Sequence, residues 1–193
     1  LLRRLYDWTL NLAEKPAAKA WLAFISFLES SIFPIPPDVM LMPMCMAKRE
    51  KSFLYAAIAT GSSIIGGIVG YAIGAFFFLT IGQAIIEFYG LQSAFDVTRD
   101  RFNDQGVWWV MIAGFTPLPF KVITIVSGVT TMPLIPFIIA SIIGRAGRFF
   151  LVAALFWWFG APIKNFIEKW FNILAISFVI LLVGGFVVLK YLL

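Results

Sequence analysis

Two proline clusters interrupt this chain where a helix would otherwise run on. Phe33-Pro34-Ile35-Pro36-Pro37-Asp38 lies inside one long apolar run, and Thr116-Pro117-Leu118-Pro119-Phe120-Lys121 lies inside another. Proline has no backbone donor and disfavours helix in the residue before it, so each cluster must break a helix. The two read alike: Pro, aliphatic, Pro, one further residue, then a charge that is acidic in the first and basic in the second. The runs around them set the solvent. Of 193 residues, 61% are hydrophobic and 13% charged, where a soluble domain carries roughly twice that charge. Several uncharged runs exceed the ~18 residues that suggest a bilayer span. The chain therefore reads as an all-α integral membrane protein with no room for a large soluble domain.

Residues 1–19 mix Arg3, Arg4, Asp7, Glu14, Lys15 and Lys19 with Leu1, Leu5, Trp8 and Leu12 on one helical face, which predicts an interfacial amphipathic helix. Residues 20–47 hold the first proline cluster. Broken in its middle, the run gives pieces of about 14 residues and about 20 Å, too short for a hydrocarbon core of about 30 Å. A re-entrant hairpin fits better than a broken span. Non-helical backbone at that depth must be buried in protein or face a watery cavity.

Residues 53–80 are uncharged and long enough for a tilted span. Gly66, Gly70 and Gly74 leave one face of it smooth for close helix packing, within the chain or against a second copy in a homo-oligomer. Residues 82–105 carry Glu87, Asp96, Arg99, Asp100, Arg101 and Asp104 and read as a surface segment. Residues 107–132 form the second hairpin, 134–160 the next span, and 170–193 a C-terminal transmembrane helix. Hairpin and span thus repeat, and the topology makes the second unit inverted.

The loop charges orient the whole. Arg3, Arg4, Lys15, Lys19, Lys48, Arg49, Lys51, Lys164 and Lys169 fall on one side, and Arg99, Arg101 and Lys190 on the other. The positive-inside bias then puts the N-terminus in the cytoplasm and the C-terminus outside. It also accounts for the net charge of +5 without nucleic acid. Cys45 is the only cysteine and histidine is absent, so no intrachain disulfide, cysteine metal cluster or histidine base is available.

Five ionisable residues fall at membrane depth: Glu29, Asp38, Lys121, Arg145 and Arg148. Each costs on the order of 3 kcal/mol to insert. Arg145 and Arg148 share a helix face, with Ser141 one turn before, and two guanidiniums there suit a phosphate. The plainer alternative is that acids and bases pair as buried salt bridges that pin the hairpins. Asp38 after Pro37 could also cap the returning helix, and Glu29 could bond exposed backbone at the tip.

From Phe27-Leu28-Glu29 to Asp38 the chain resembles the DedA family, also called the SNARE-associated or VTT-domain family. The resemblance continues through Gly66 to Gly74, then Gly114-Phe115-Thr116-Pro117-Leu118-Pro119-Phe120-Lys121, Ser127-Gly128, Met132-Pro133, Phe137 and Gly144. It covers most of residues 20–160 and looks most like the YqaA-type subgroup. It implies a multi-pass protein of the bacterial inner membrane, with two re-entrant hairpins in an inverted repeat. It also implies movement of lipids between leaflets with proton coupling. Glu29 and Asp38 match the family's acidic pair, and Lys121 stands near a basic position of the second hairpin. The sequence departs in having Asp38 where Glu is usual. The Arg-Pro-Arg arrangement is reduced, with Thr116 and Lys121 near the arginine places. Arg145 and Arg148 are expected to compensate from the adjacent span.

These readings converge on a transporter. Hairpin tips at Pro34, Pro36, Pro37, Pro117 and Pro119 would meet near the midplane. Lys121, Arg145, Arg148 and Thr116 would hold an anionic lipid head group, while Glu29 and Asp38 exchange protons. No cofactor is expected. An intramembrane enzyme is disfavoured, since no His-Glu-x-x-His or Gly-x-Ser-x-Gly motif is present. A non-transporting membrane assembly factor with structural ion pairs is the alternative.

Overall fold

The computed structural model describes residues 17–32, 36–116 and 118–160. The amphipathic segment up to residue 16, the tip residues Pro34 and Pro117, and the C-terminal helix at 170–193 lie outside them. Among the described residues every regular element is helical. The first proline cluster separates α1 (Ala18–Ser31) from α2 (Asp38–Ala47). A single 3-10 turn, Arg49–Lys51, leads into α3 (Ser52–Phe77). A π-helical turn, Phe78–Gly82, passes without a break into α4 (Gln83–Phe88). Then come α5 (Gln92–Phe115), α6 (Phe120–Val129) and α7 (Leu134–Phe159).

Two of these helices are long and apolar enough to cross a membrane. One is the continuous 40-residue path Arg49–Phe88 and the other the 26-residue Leu134–Phe159. At 1.5 Å per residue the first is about 60 Å long, twice a bilayer core, so it must project beyond the membrane or tilt steeply. Helix α5 is unbroken across 92–115, so the charged stretch around Asp96–Asp104 and the apolar stretch before Thr116 share one helix rather than dividing near residue 106. Nothing between them stops it: the intervening Gly106 costs only about 1 kcal/mol in a helix. Both short helices start directly after a proline, α2 after Pro37 and α6 after Pro119. There the fixed φ and missing donor carry no penalty.

Helices α3 and α7 run antiparallel through the centre, and the other elements pack on them. They pass through two separate apolar cores. The first gathers Leu22 and Ile25 of α1, Met40, Leu41 and Met44 of α2, Tyr55, Ala56 and Ala59 of α3, and Phe149, Ala153 and Phe156 of α7. The second gathers Phe102, Val110 and Ala113 of α5, Phe120 and Ile123 of α6, and Phe137 and Ala140 of α7. Along α3 the first core ends at Ala59, Ser63 follows, and then come the buried glycines Gly66, Gly70 and Gly74. A Cβ at Gly66 would strike the carbonyl of Phe27 on α1, and one at Gly74 the carbonyl of Ile125 on α6. The smooth face thus packs inside the chain, on both broken segments at once. Gly144 of α7 meets Met111 and Gly114 of α5 in the same way.

Candidate functional site

The polar residues collect in the layer between the two cores. Along α7 the order is Ala140 of the second core, then Ser141, Gly144, Arg145 and Arg148, then Phe149 of the first core. Arg145 is only 2% exposed, and its guanidinium is largely committed. Nε donates to Ser63 Oγ on α3 at 2.6 Å, and Nη2 donates to Ser30 Oγ on α1 at 2.8 Å and to Glu29 Oε2. Its Cζ lies 4.4 Å from the ring centre of Phe120 and 5.2 Å from that of Phe149, so one aromatic from each core flanks the cation. The hydroxyls complete a directed set. Ser30 donates to Glu29 Oε2 at 3.2 Å, so the hydrogen between Ser30 and Ser63, 2.6 Å apart, comes from Ser63. A buried charge is tolerable when paired and hydrogen-bonded, and Nε and Nη2 provide both here.

Arg148 lies one turn further along and does something different. Its Nη1 donates to the backbone carbonyl of Thr116, and Nη2 to Asp38 Oδ2. One side chain therefore bridges the two proline breaks from a third element. Asp38 sits in the first turn of α2, where its charge suits the helix dipole, but it makes no capping bond with its side chain. Its other oxygen, Oδ1, is buried and meets no donor among the described residues. The two breaks are also tied directly. Lys121 Nζ donates to the carbonyl of Ile32 at 3.2 Å. Thr124 Oγ1 donates to the carbonyl of Lys121 in its own helix at 2.8 Å and packs 3.3 Å from that of Ser30. The carbonyls of Ser30 and Ile32 end α1, where a helix leaves acceptors unsatisfied.

Each of the five ionisable residues singled out from the sequence thus has a place. Glu29 pairs with Arg145, and Asp38 with Arg148. Asp38 and Lys121 do not pair with each other among the described residues. Arg145 and Arg148 share a face but no partner. The hydroxyl of Thr116 turns back to Ile112 of its own helix, leaving its carbonyl for Arg148. Pro36 and Pro37 lie beside this layer, with Pro37 buried, and Pro119 opens α6. Ser30, Ser63 and Thr124 were not anticipated. A signal for Ser63 existed: it precedes Gly66, Gly70 and Gly74 by three, seven and eleven residues, on the same helical face.

Residues 21–157 match the VTT domain family. A Haemophilus influenzae protein described as uncharacterized is 39% identical over 186 residues, 96% of each chain. A similar protein of Histophilus somni is 38% identical over 186 residues, 96% of this chain and 97% of its own. Undecaprenyl phosphate transporter A of Staphylococcus aureus is 32% identical over 131 residues, 63% of this chain and 64% of its own. No solved structure matches the chain. With the family match running from α1 to the last turns of α7, and so across both breaks and the polar layer between the cores, the chain belongs to the VTT-domain, or DedA, family of membrane proteins.

Proposed function

We propose that the protein moves a lipid with a phosphate head group, a phospholipid or a polyprenyl phosphate, between leaflets with proton coupling. The observation that carries this is Arg148. It is a partly buried guanidinium shared between a neutral carbonyl and a carboxylate whose second oxygen has no donor. An anionic head group can compete for such a guanidinium, because phosphate accepts two parallel hydrogen bonds from it. Asp38, once left, is the carboxylate that this reading assigns to proton exchange. Lys121, held only by a carbonyl, is the second cation within reach. Arg145 with Glu29 holds the layer together and orders α1 against α3 and α7. The name of the Staphylococcus aureus relative supports a polyprenyl phosphate as one candidate cargo.

The same reading treats α1/α2 and α5/α6 as re-entrant hairpins in an inverted repeat, entering from opposite sides. Short helices beginning after a proline in both units support it. Unequal charge supports a cytoplasmic position for the end bearing Lys19, Lys48, Arg49 and Lys51. The buried, hydrogen-bonded cluster around Arg145 also supports a second reading, a non-transporting assembly factor whose ion pairs only hold the fold.

Leaflet exchange of labelled phospholipid and polyprenyl phosphate in proteoliposomes separates them. Wild type is compared with Arg148→Gln and Asp38→Asn under an imposed pH gradient. The transporter reading expects at least a tenfold loss in Arg148→Gln, and loss of gradient dependence in Asp38→Asn. Equal rates in all three, or no exchange above empty liposomes in any, would leave the assembly factor.

A further inference from the structure

The end of the molecule remote from the proline breaks carries a second group of cations, apart from the polar layer. Arg49, in the turn between α2 and α3, is exposed but fixed. Its Nε donates to the carbonyl of Trp157 and its Nη2 to that of Trp158 at 2.7 Å. These are among the last carbonyls of α7, the negative end of the helix dipole. Arg49 therefore cancels the charge that would repel an anion there. Lys48 and Lys51 flank it, both exposed, with Glu50 the only acid in the turn. Among the described residues none of the three cations forms an ion pair.

Aromatic side chains surround this turn. Trp157 is 48% exposed and Trp158 74%. Phe53 begins α3 beside them, its ring centre 5.8 Å from that of Trp157 and 6.3 Å from that of Phe150. Exposed tryptophans closing a transmembrane helix mark the depth of the lipid head groups. The charged group on α5 is of another kind. Arg99 is engaged by Asp96 and Asp100, and acids outnumber bases.

We propose that Lys48, Arg49 and Lys51, with Trp157 and Trp158, form a binding site for an anionic phospholipid head group of the leaflet at that end. The phosphate sits over the turn, the lysines supply charge, and the indoles border the acyl chains. The site would fasten the α2–α3 turn to the end of α7 in an anionic bilayer. Nothing in it depends on transport.

The test uses the full chain, delipidated in detergent, with phosphatidylglycerol or phosphatidylcholine added back. Melting temperature and retained lipid by native mass spectrometry are both read. Wild type should be stabilised by phosphatidylglycerol more than by phosphatidylcholine, and less so at high salt. Lys48→Gln/Lys51→Gln, which removes only exposed charge, should lose most of that difference while keeping its melting temperature without lipid. Arg99→Gln/Arg101→Gln, in the α5 group, should keep the difference. Equal stabilisation by the two lipids in wild type overturns the proposal. So does an undiminished preference in the lysine variant, or an equal loss in the α5 variant.

Discussion

Arg145 and Arg148 are one turn apart on α7, but removing them should have unlike consequences. Arg145 is fully enclosed, and Arg145→Gln leaves Glu29 without its counter-charge and takes a donor from Ser30 and Ser63. Breaking a buried pair from one side costs about 3–5 kcal/mol. The variant should therefore melt far below wild type in detergent or fail to accumulate in the membrane. Removing both charges is predicted to be milder: Glu29→Gln/Arg145→Met should recover most of the lost melting temperature. A double variant no better than Arg145→Gln would refute that pairing. Arg148 is part-exposed and holds a carbonyl and one carboxylate oxygen. Arg148→Gln leaves the buried Asp38 carboxylate without its counter-charge and should cost roughly 2–4 kcal/mol in the same assay, so its effect on exchange is read only in protein that this assay shows to be folded. All five ionisable groups could be picked out from the sequence, because an isolated charge in an apolar run is conspicuous. It could not show who pairs with whom. Glu29 and Arg145 lie 116 residues apart, and three bases facing two acids allow several pairings. Ser30 and Ser63 escaped notice because a serine in an apolar helix ordinarily bonds back to its own turn, as Ser26 does.

At the level of elements, α3 is the ruler against which both broken segments are set. Its glycines differ in what they face, and substitution separates the packing ones from the rest. At Gly66 a Cβ would strike the backbone of α1 and at Gly74 that of α6, and backbone has no rotamer to yield. Gly66→Ala and Gly74→Ala should each lower the melting temperature markedly, by the 1–3 kcal/mol typical of overpacking or more. Gly61, on the same helix, faces open space. Gly61→Ala should be neutral or stabilising by up to about 1 kcal/mol. Three equal shifts would mean that helix propensity, not close approach, governs these sites. The glycine spacing was plain in the sequence, but its two partners were not, since small residues state that something approaches and not what. The end of α3 was also obscure. The apolar run thins near residue 80, yet helix continues to Phe88 through a π-helical turn, because no proline or charged loop ends it there. The breaks themselves were legible, since proline acts locally.

For the molecule as a whole, the two ends differ in charge, and the proposed orientation rests on that difference. Among the described residues one end has Lys19, Lys48, Arg49 and Lys51 against Glu50, and the α5 segment has Arg99 and Arg101 against Asp96, Asp100 and Asp104. Lysine and arginine near the ends of spans resist translocation, while acids contribute little. Positions 51 and 100 should therefore be on opposite sides of the membrane. In a Cys45→Ala background, which removes the one native thiol, Lys51→Cys and Asp100→Cys can be labelled in intact cells with an impermeant maleimide. The first should react only after permeabilisation and the second at once. If both label at once, or both only after permeabilisation, the α3 path does not cross the membrane between them. The inverted arrangement of the two broken segments would fall with it. If the order is reversed, the crossing stands and the orientation does not. The crossing matters more for function. Arg148 joins the two breaks in either orientation, but only segments entering from opposite sides make that contact a barrier between two aqueous faces. A single guanidinium that changes partner could then open one face while the Arg145 cluster keeps the helices in register.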